Sequence, residues 1–297
     1  MLILDPSFES MTILVTGAKG QMGNDFQAIC PQFPHYRFSF TDIEELDITD
    51  EKAVGVFFHQ NHPDVIINCA AYTAVDKAEQ ESEIAMKING EAVGILARAA
   101  SEAGTLMIQI STDYIFDGNH FKPYTEEDIP HPISTYSRSK YSGELAMHQY
   151  SSRGIIIRTS WLYSSFGHNF VKTMLKVGAE KGTLRVVFDQ IGTPTWSRDL
   201  CRTILQILPK LTDFYGVDIY HYSDEGVCSW YDFAIAILEL SGIHCHVNPI
   251  STKDYPLPAI RPFYSVFNKE KIKKRFDIQI PHWRESLKEC IGILTRR

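Results

Sequence analysis

Three runs in this chain, DVIINCAA (residues 64–71), TLMIQIS (105–111) and IIIRTSWLY (155–163), are apolar or β-branched with little polar alternation. A strand with one face in water alternates. A run apolar along its length has to be covered on both faces, which is the condition of strands inside a parallel sheet. Two more strand candidates precede them, TILVTG (12–17) and YRFSFTD (36–42). Segments of helical periodicity lie between: QMGNDFQAIC, TDEKAVGVFFHQ (49–60), and IAMKINGEAVGILARAASEAG (84–104), the last closed by a glycine. This βαβα order predicts an α/β fold, a Rossmann-type doubly wound parallel sheet.

Beyond residue 163 the pattern loosens into short strands such as DIYHYS, the helical WYDFAIAILELSG and proline-punctuated loops such as KDYPLPAIRPF. This tail predicts a smaller C-terminal α+β lobe that covers the carboxyl edge of the sheet and binds substrate. The dinucleotide-binding part is expected over 11–165 and about 186–212, and the substrate lobe over about 166–185 and 213–297. Residues 1–10 are expected to be an extension: MLILDPSFES has no basic stretch, and Asp5 and Pro6 interrupt its apolar run, unlike a signal peptide.

A formal charge of −7 argues against nucleic-acid or anionic-membrane partners. No apolar run approaches the roughly 18 residues of a membrane span. The six cysteines are scattered without a C-x-x-C pair, which reads as reduced thiols in a cytoplasmic protein. His244-Cys245-His246 has no second metal-binding cluster nearby and reads as an ordinary strand or loop.

The chemistry begins at TGAKGQMG (16–23). Gly17, Gly20 and Gly23 fall at a strand-to-helix turn, where bare backbone and a helix N-terminus can approach a pyrophosphate. The spacing differs from G-x-G-x-x-G but uses glycine for the same purpose. Asp42 closes the next strand nineteen residues beyond Gly23, where a carboxylate reaches adenosine ribose hydroxyls and disfavours a 2′-phosphate, or else caps the following turn.

In YSRSK (136–140), Tyr136 and Lys140 are four apart and share a helix face. An ammonium roughly 5 Å from a phenol, at an effective dielectric of about 20, would favour the phenolate by about 3 kcal/mol, or about two pKa units. Such a tyrosine can give a proton to a carbonyl oxygen. Thr112, at the end of the strand opening STDYIFDG (111–118), is placed to bond the same oxygen.

With LDITD (46–50), NCAAYTAVDKAE (68–79), RTSWLY (158–163), NFVKTM (169–174) and DQIGTPT (189–195) in order along the chain, the sequence resembles the extended short-chain dehydrogenase/reductases. Within them it is similar to the dTDP-4-dehydrorhamnose reductase family. That resemblance implies reduction of the C4 ketone of a dTDP-4-dehydro-β-L-rhamnose by NADH or NADPH. It implies that Gly20, Gln21 and Met22 line the pyrophosphate turn, that Asp42, Asp47 and Ile48 lie at the adenosine end, and that Ala71, Tyr72 and Thr73 line the cofactor. It makes Tyr136 the proton donor and Lys140 the holder of the nicotinamide ribose. Thr112, Asp113, Val75 and Trp161 then border the sugar, and Arg261 in the IRPF loop offers a cation to the diphosphate. Some members bind Mg²⁺ through a glutamate on the first helix at a dimer interface. Asp25 stands there in this chain, so a metal and the choice of monomer or homodimer are open. Ser137 replaces a glycine common in the family. The nucleotide-sugar 4,6-dehydratases carry a second carboxylate after the threonine-aspartate pair, where this chain has Tyr114. A nucleotide-sugar epimerase, or a non-catalytic regulatory subunit of the kind found with methionine adenosyltransferase, stays open as an alternative.

Overall fold

The computed structural model describes residues 10–295. The extension expected over 1–10 lies, except for Ser10, outside the described residues. Six strands form one parallel sheet: β1 Thr12–Thr16, β2 Arg37–Thr41, β3 Val65–Asn68, β4 Leu106–Thr112, β5 Arg153–Thr159 and β6 Gly216–Tyr222, in spatial order β6-β5-β4-β3-β1-β2. β3 and β4 are buried at every position and β5 at all but its first, as unalternating apolar runs require.

Helices cover both faces. On one, α1 (Gln21–Ile29) and a later helix, Ser197–Ile207, pack on Ile13, Val15, Ile67 and Ile108. On the other, α2 (Glu51–Asn61), α3 (Ala92–Ala103) and α4 (Thr135–Tyr150) cover Leu14, Ile66, Met107 and Ile156. Fully burying each such side chain contributes about 1.5–3 kcal/mol, so both layers are needed for stability. The helix starts are set locally. The Asp50 side chain accepts from the Lys52 and Ala53 amides, and Ser134 and Ser137 form a reciprocal capping box that fixes the first turn of α4. A separate core of Tyr163, Val171, Phe233 and Leu287 gathers α5 (Phe170–Lys181), α7 (Trp230–Ser241) and α8 (Trp283–Thr295) with short strands, while α6, the helix Ser197–Ile207, stays on the sheet.

Three local readings change. Strand DIYHYS, read as part of the small lobe, is β6 of the central sheet. It pairs in parallel with β5 and places Tyr220 and Tyr222 in the sheet's core. The expected strand 155–163 breaks after Thr159. Trp161 takes φ +46°, and the chain resumes as Leu162–Tyr163, paired with Thr195–Trp196. The expected helix 84–104 starts at Ser82 and widens into a π turn at Lys87–Glu91 before α3. Gly90 and Gly143 let this turn lie against α4: a Cβ on Gly143 would sit 2.2 Å from the Asn89 carbonyl oxygen.

β2 and β3 lie on opposite sides of β1, so the direction of winding reverses there. The crevice outside the carboxyl ends of β1 and β3 is where ligands bind in such sheets.

Candidate active site

Glycine shapes the first wall of that crevice. Gly17 leaves β1 at φ +67°, and a Cβ there would lie 2.7 Å from the Ala70 amide nitrogen. A Cβ on Gly23 would lie 2.4 Å from the Gly17 carbonyl oxygen. Both obstacles are backbone: a side chain at Gly17 would push the turn from the segment after β3, and one at Gly23 would push α1 from the end of β1. Gly20 caps α1 without a side-chain bond, leaving the helix N-terminus open. A bare turn and an open helix N-terminus fit a dinucleotide pyrophosphate.

On one side of this turn a cavity of about 580 Å³ is bordered by Asp42, Asp47 and Ile48, the residues the resemblance put at the adenosine end, together with Ala71. Asp47 is held by the Thr49 amide and hydroxyl, and those bonds lower its pKa. Asp42 accepts from the Lys19 and Ile43 amides, so it fixes the glycine loop as well as facing the cavity. Lys19, whose ammonium is 2.6 Å from Glu44, brings a cation to the same rim.

On the other side a cavity of about 550 Å³ joins Gly20, Gln21 and Met22 to Tyr136, Lys140 and Thr112, with Ala71, Thr73, Val75, Asp113 and Trp161 also on its walls. Of the residues singled out in the sequence, Gly17, Asp42, Asp47 and Ile48 border the first space, while those from Gly20 to Trp161 named here share the second; Tyr72 and Asp25 line neither. The Tyr72 side chain turns away to donate to Glu81, while its backbone amide and carbonyl are held by Asn89. Asp25 is wholly buried, accepting from Ser164 at 2.6 Å and Arg198 at 3.1 Å, so it faces inward as part of an ion pair. The Mg²⁺ expectation is corrected on that ground, and the described residues bring no group of three or more His, Cys, Asp or Glu together around a metal position.

The proton chemistry also differs from the sequence estimate. Tyr136 faces the Thr112 hydroxyl and Tyr114, and burial pushes its phenol up to about 12, against the pull of Thr112. The Lys140 ammonium donates instead to the Ile110 carbonyl oxygen at 2.7 Å, and burial brings it down to about 8 while Glu144 opposes that shift. The protein's own residues therefore hold Tyr136 as a phenol, the form that donates a proton. Asp113 is buried beside them. Burial raises it to about 7 despite nearby Ser265 and Thr112 hydroxyls, and its Oδ2 makes no hydrogen bond of ordinary geometry.

Trp161 is held against its neighbours. Its ring stacks on Trp230 with centroids 3.7 Å apart, and a Cβ on Gly192 would come within 2.6 Å of it. Arg261 is bound by Asp76, so its cation is already paired.

Several supporting residues escaped the sequence reading. Thr16, Asn68 and Gln109 form a buried hydrogen-bond chain across β1, β3 and β4, with links of 2.6 and 2.7 Å. Asn89 ties the Tyr72 backbone to Ser139 on α4. Glu144 binds Ser111 and Arg158 behind Lys140. Only Asn89 left a trace in the sequence, as an Asn-Gly pair inside a strong helical pattern.

Residues 11–296 match the family model described as the RmlD substrate binding domain. A dTDP-4-dehydrorhamnose reductase of Aggregatibacter actinomycetemcomitans is 42% identical over 287 residues, covering 93% of this chain and 97% of its own. The crystal structure of a dTDP-4-dehydrorhamnose reductase from Clostridium acetobutylicum superposes with a TM-score of 0.90 at 44% identity, over 96% of this chain and 99% of that one. A Bacillus anthracis counterpart in complex with NADP also reaches 0.90, at 37% identity over the same shares.

Proposed function

The chain belongs to the RmlD substrate-binding-domain family together with the dTDP-4-dehydrorhamnose reductases, and we infer from that membership how its residues carry the reaction. It is an oxidoreductase of dTDP-rhamnose biosynthesis that reduces the C4 ketone of dTDP-4-dehydro-β-L-rhamnose to dTDP-β-L-rhamnose with NAD(P)H. The observation that carries the assignment of roles is the convergence of Tyr136, Thr112 and Lys140 on a cavity that opens from the glycine turn.

A bound nicotinamide supplies hydride to C4. Gly17, Gly20 and Gly23 hold the dinucleotide at the pyrophosphate, with Gln21 and Met22 beside it. Asp42, Asp47 and Ile48 border the adenosine, Ala71, Tyr72 through its backbone and Thr73 follow along its length, and Lys140 holds the nicotinamide ribose. Lys19 beside Asp42 supports use of both NADH and NADPH, because the rim carries a cation as well as carboxylates. Tyr136 protonates the C4 oxygen, and Thr112 orients that oxygen by a hydrogen bond. Asp113, Val75 and Trp161 bound the sugar.

The nucleoside diphosphate extends into an adjoining cavity of about 470 Å³, which shares Trp230 and Phe170 with the first and carries Arg185 and Arg261 on largely apolar walls. We divide the chain accordingly into a dinucleotide domain, to which β6 contributes, and a C-terminal substrate lobe, acting as a monomer or homodimer. No helix among the described residues is long and apolar enough to cross a membrane. The six free cysteines support a cytoplasmic setting.

Loss of reduced-nicotinamide absorbance with dTDP-4-dehydro-L-rhamnose tests this reading, with NADH and NADPH assayed separately. The Tyr136→Phe variant is expected to lose about 10²–10⁴ in kcat while still binding cofactor. Full turnover by that variant would remove Tyr136 from the chemistry.

A further inference from the structure

Arg261 lies in the segment 255–263 that lines the 470 Å³ cavity, and its partner Asp76 comes from the helical turn Val75–Ala78 that follows β3. The pair is bidentate. Nη1 donates to Asp76 Oδ1 at 3.0 Å, and Nη2 donates to Oδ2 at 2.8 Å. The second Nη1 hydrogen goes to the Ala259 carbonyl oxygen at 2.9 Å, while the Ala259 amide donates back to Asp76 at 3.1 Å. A guanidinium has five donors in a rigid planar fork. Asp76 occupies the outer Nη1–Nη2 edge. The Nε–H and the second Nη2–H, which form the other anion-binding edge, have no partner among the described residues.

We propose that Asp76 is a positioning residue that locks the outer edge of Arg261, so that its free Nε–Nη2 edge binds the diphosphate of the sugar nucleotide. This rests on the reductase reading above. A flexible arginine would have to give up side-chain freedom on each binding event, whereas one already fixed by a carboxylate gives up little. Ala259 completes the arrangement by joining the same carboxylate, so the segment and the arginine are held as one unit. Arginine suits this task because two parallel N–H donors match two phosphate oxygens.

The sign of one substitution separates this role from the others. Removing the negative charge of Asp76 would by itself favour an anionic ligand, so weaker anion binding after Asp76→Asn reports lost orientation. The experiment titrates dTDP and thymidine into the wild type, Asp76→Asn, Arg261→Met and the double variant, and follows turnover of the 4-ketosugar nucleotide in parallel. Affinity for dTDP should fall about tenfold in each single variant, as expected for one charge-assisted hydrogen-bonded contact. The double variant should be no weaker than Arg261→Met alone. Thymidine binding should be the same in all four proteins, and the turnover defect should fall on KM more than on kcat.

Unchanged or tighter dTDP binding by Asp76→Asn would mean that Asp76 competes with the ligand, and the proposal fails. A parallel loss of thymidine binding would make the pair a catch for the segment alone, and it fails again. If the wild type does not turn over the sugar nucleotide, the underlying reductase reading falls first, whatever the variants do.

Discussion

Replacing Glu144 by glutamine should be among the most damaging single changes in this protein, although no ligand need touch that residue. Glu144 and Arg158 are each 1% exposed. The carboxylate accepts from Arg158 Nη2 at 2.7 Å and Nε at 3.0 Å, and from the Ser111 hydroxyl at 2.5 Å. Glutamine leaves the guanidinium charged, since arginine does not deprotonate in proteins. Its remaining hydrogen-bond contact is His221 Nε2 at 3.4 Å, with the Glu126 carboxylate acting on it only through space. Burial holds that imidazole well below its ordinary pKa, so it is a neutral and weak acceptor. Removing one partner of a buried ion pair costs about 3–5 kcal/mol, against a total stability of about 5–15 kcal/mol. Glu144→Leu with Arg158→Met removes both charges and should cost far less, with about 1 kcal/mol for the stranded Ser111 hydroxyl. Urea unfolding followed by tryptophan fluorescence measures both variants. A single variant within about 1 kcal/mol of the wild type, or a double variant less stable than the single, would refute the reasoning.

Asp113, raised to about 7 by burial, should give stability a specific pH dependence. Its folded pKa lies above its unfolded value, so its contribution is fully present below about pH 4 and is lost as pH rises through about 7. Asp113→Asn should flatten that part of the profile of urea midpoint against pH, and an unchanged profile would assign the slope to other groups. Gly192→Ala would place a methyl 2.6 Å from the Trp161 ring and 2.8 Å from the Ser265 hydroxyl. With Trp161 already stacked on Trp230, the overpacking should cost about 1–3 kcal/mol and raise KM for the sugar nucleotide while leaving cofactor affinity unchanged, as titration of NADPH would check.

Some of this protein was legible in its residues because the governing interactions are local. An unalternating run such as TLMIQIS demands cover on both faces wherever it sits, so the parallel sheet could be read from β3, β4 and β5 individually. Gly17 and Gly23 are required by a turn between neighbouring elements, and Tyr136 and Lys140 share a face through helix geometry alone. The fold class follows from such short-range constraints, and so does the placing of these groups at a strand-to-helix turn and on one helix face.

Other features depend on what the chain path brings together. DIYHYS has the same pattern in a small lobe or a large sheet, and only pairing with β5 decides between them. Trp161 interrupts a run that reads as one strand, because its backbone turns to bring the ring against Trp230 and Gly192. Asp25 stands in the sequence where some relatives hold a metal, and only the closing of Arg198 and Ser164 over it shows the carboxylate to be internally paired. Asp76 meets Arg261 across 185 residues. The same holds for protonation: spacing suggested that Lys140 would lower the Tyr136 pKa, yet burial raised it and turned the ammonium to Ile110. The residues determined the elements and the chemical groups available at their ends. The tertiary structure decided which charges are paired and which groups are desolvated, because both depend on neighbours distant in sequence.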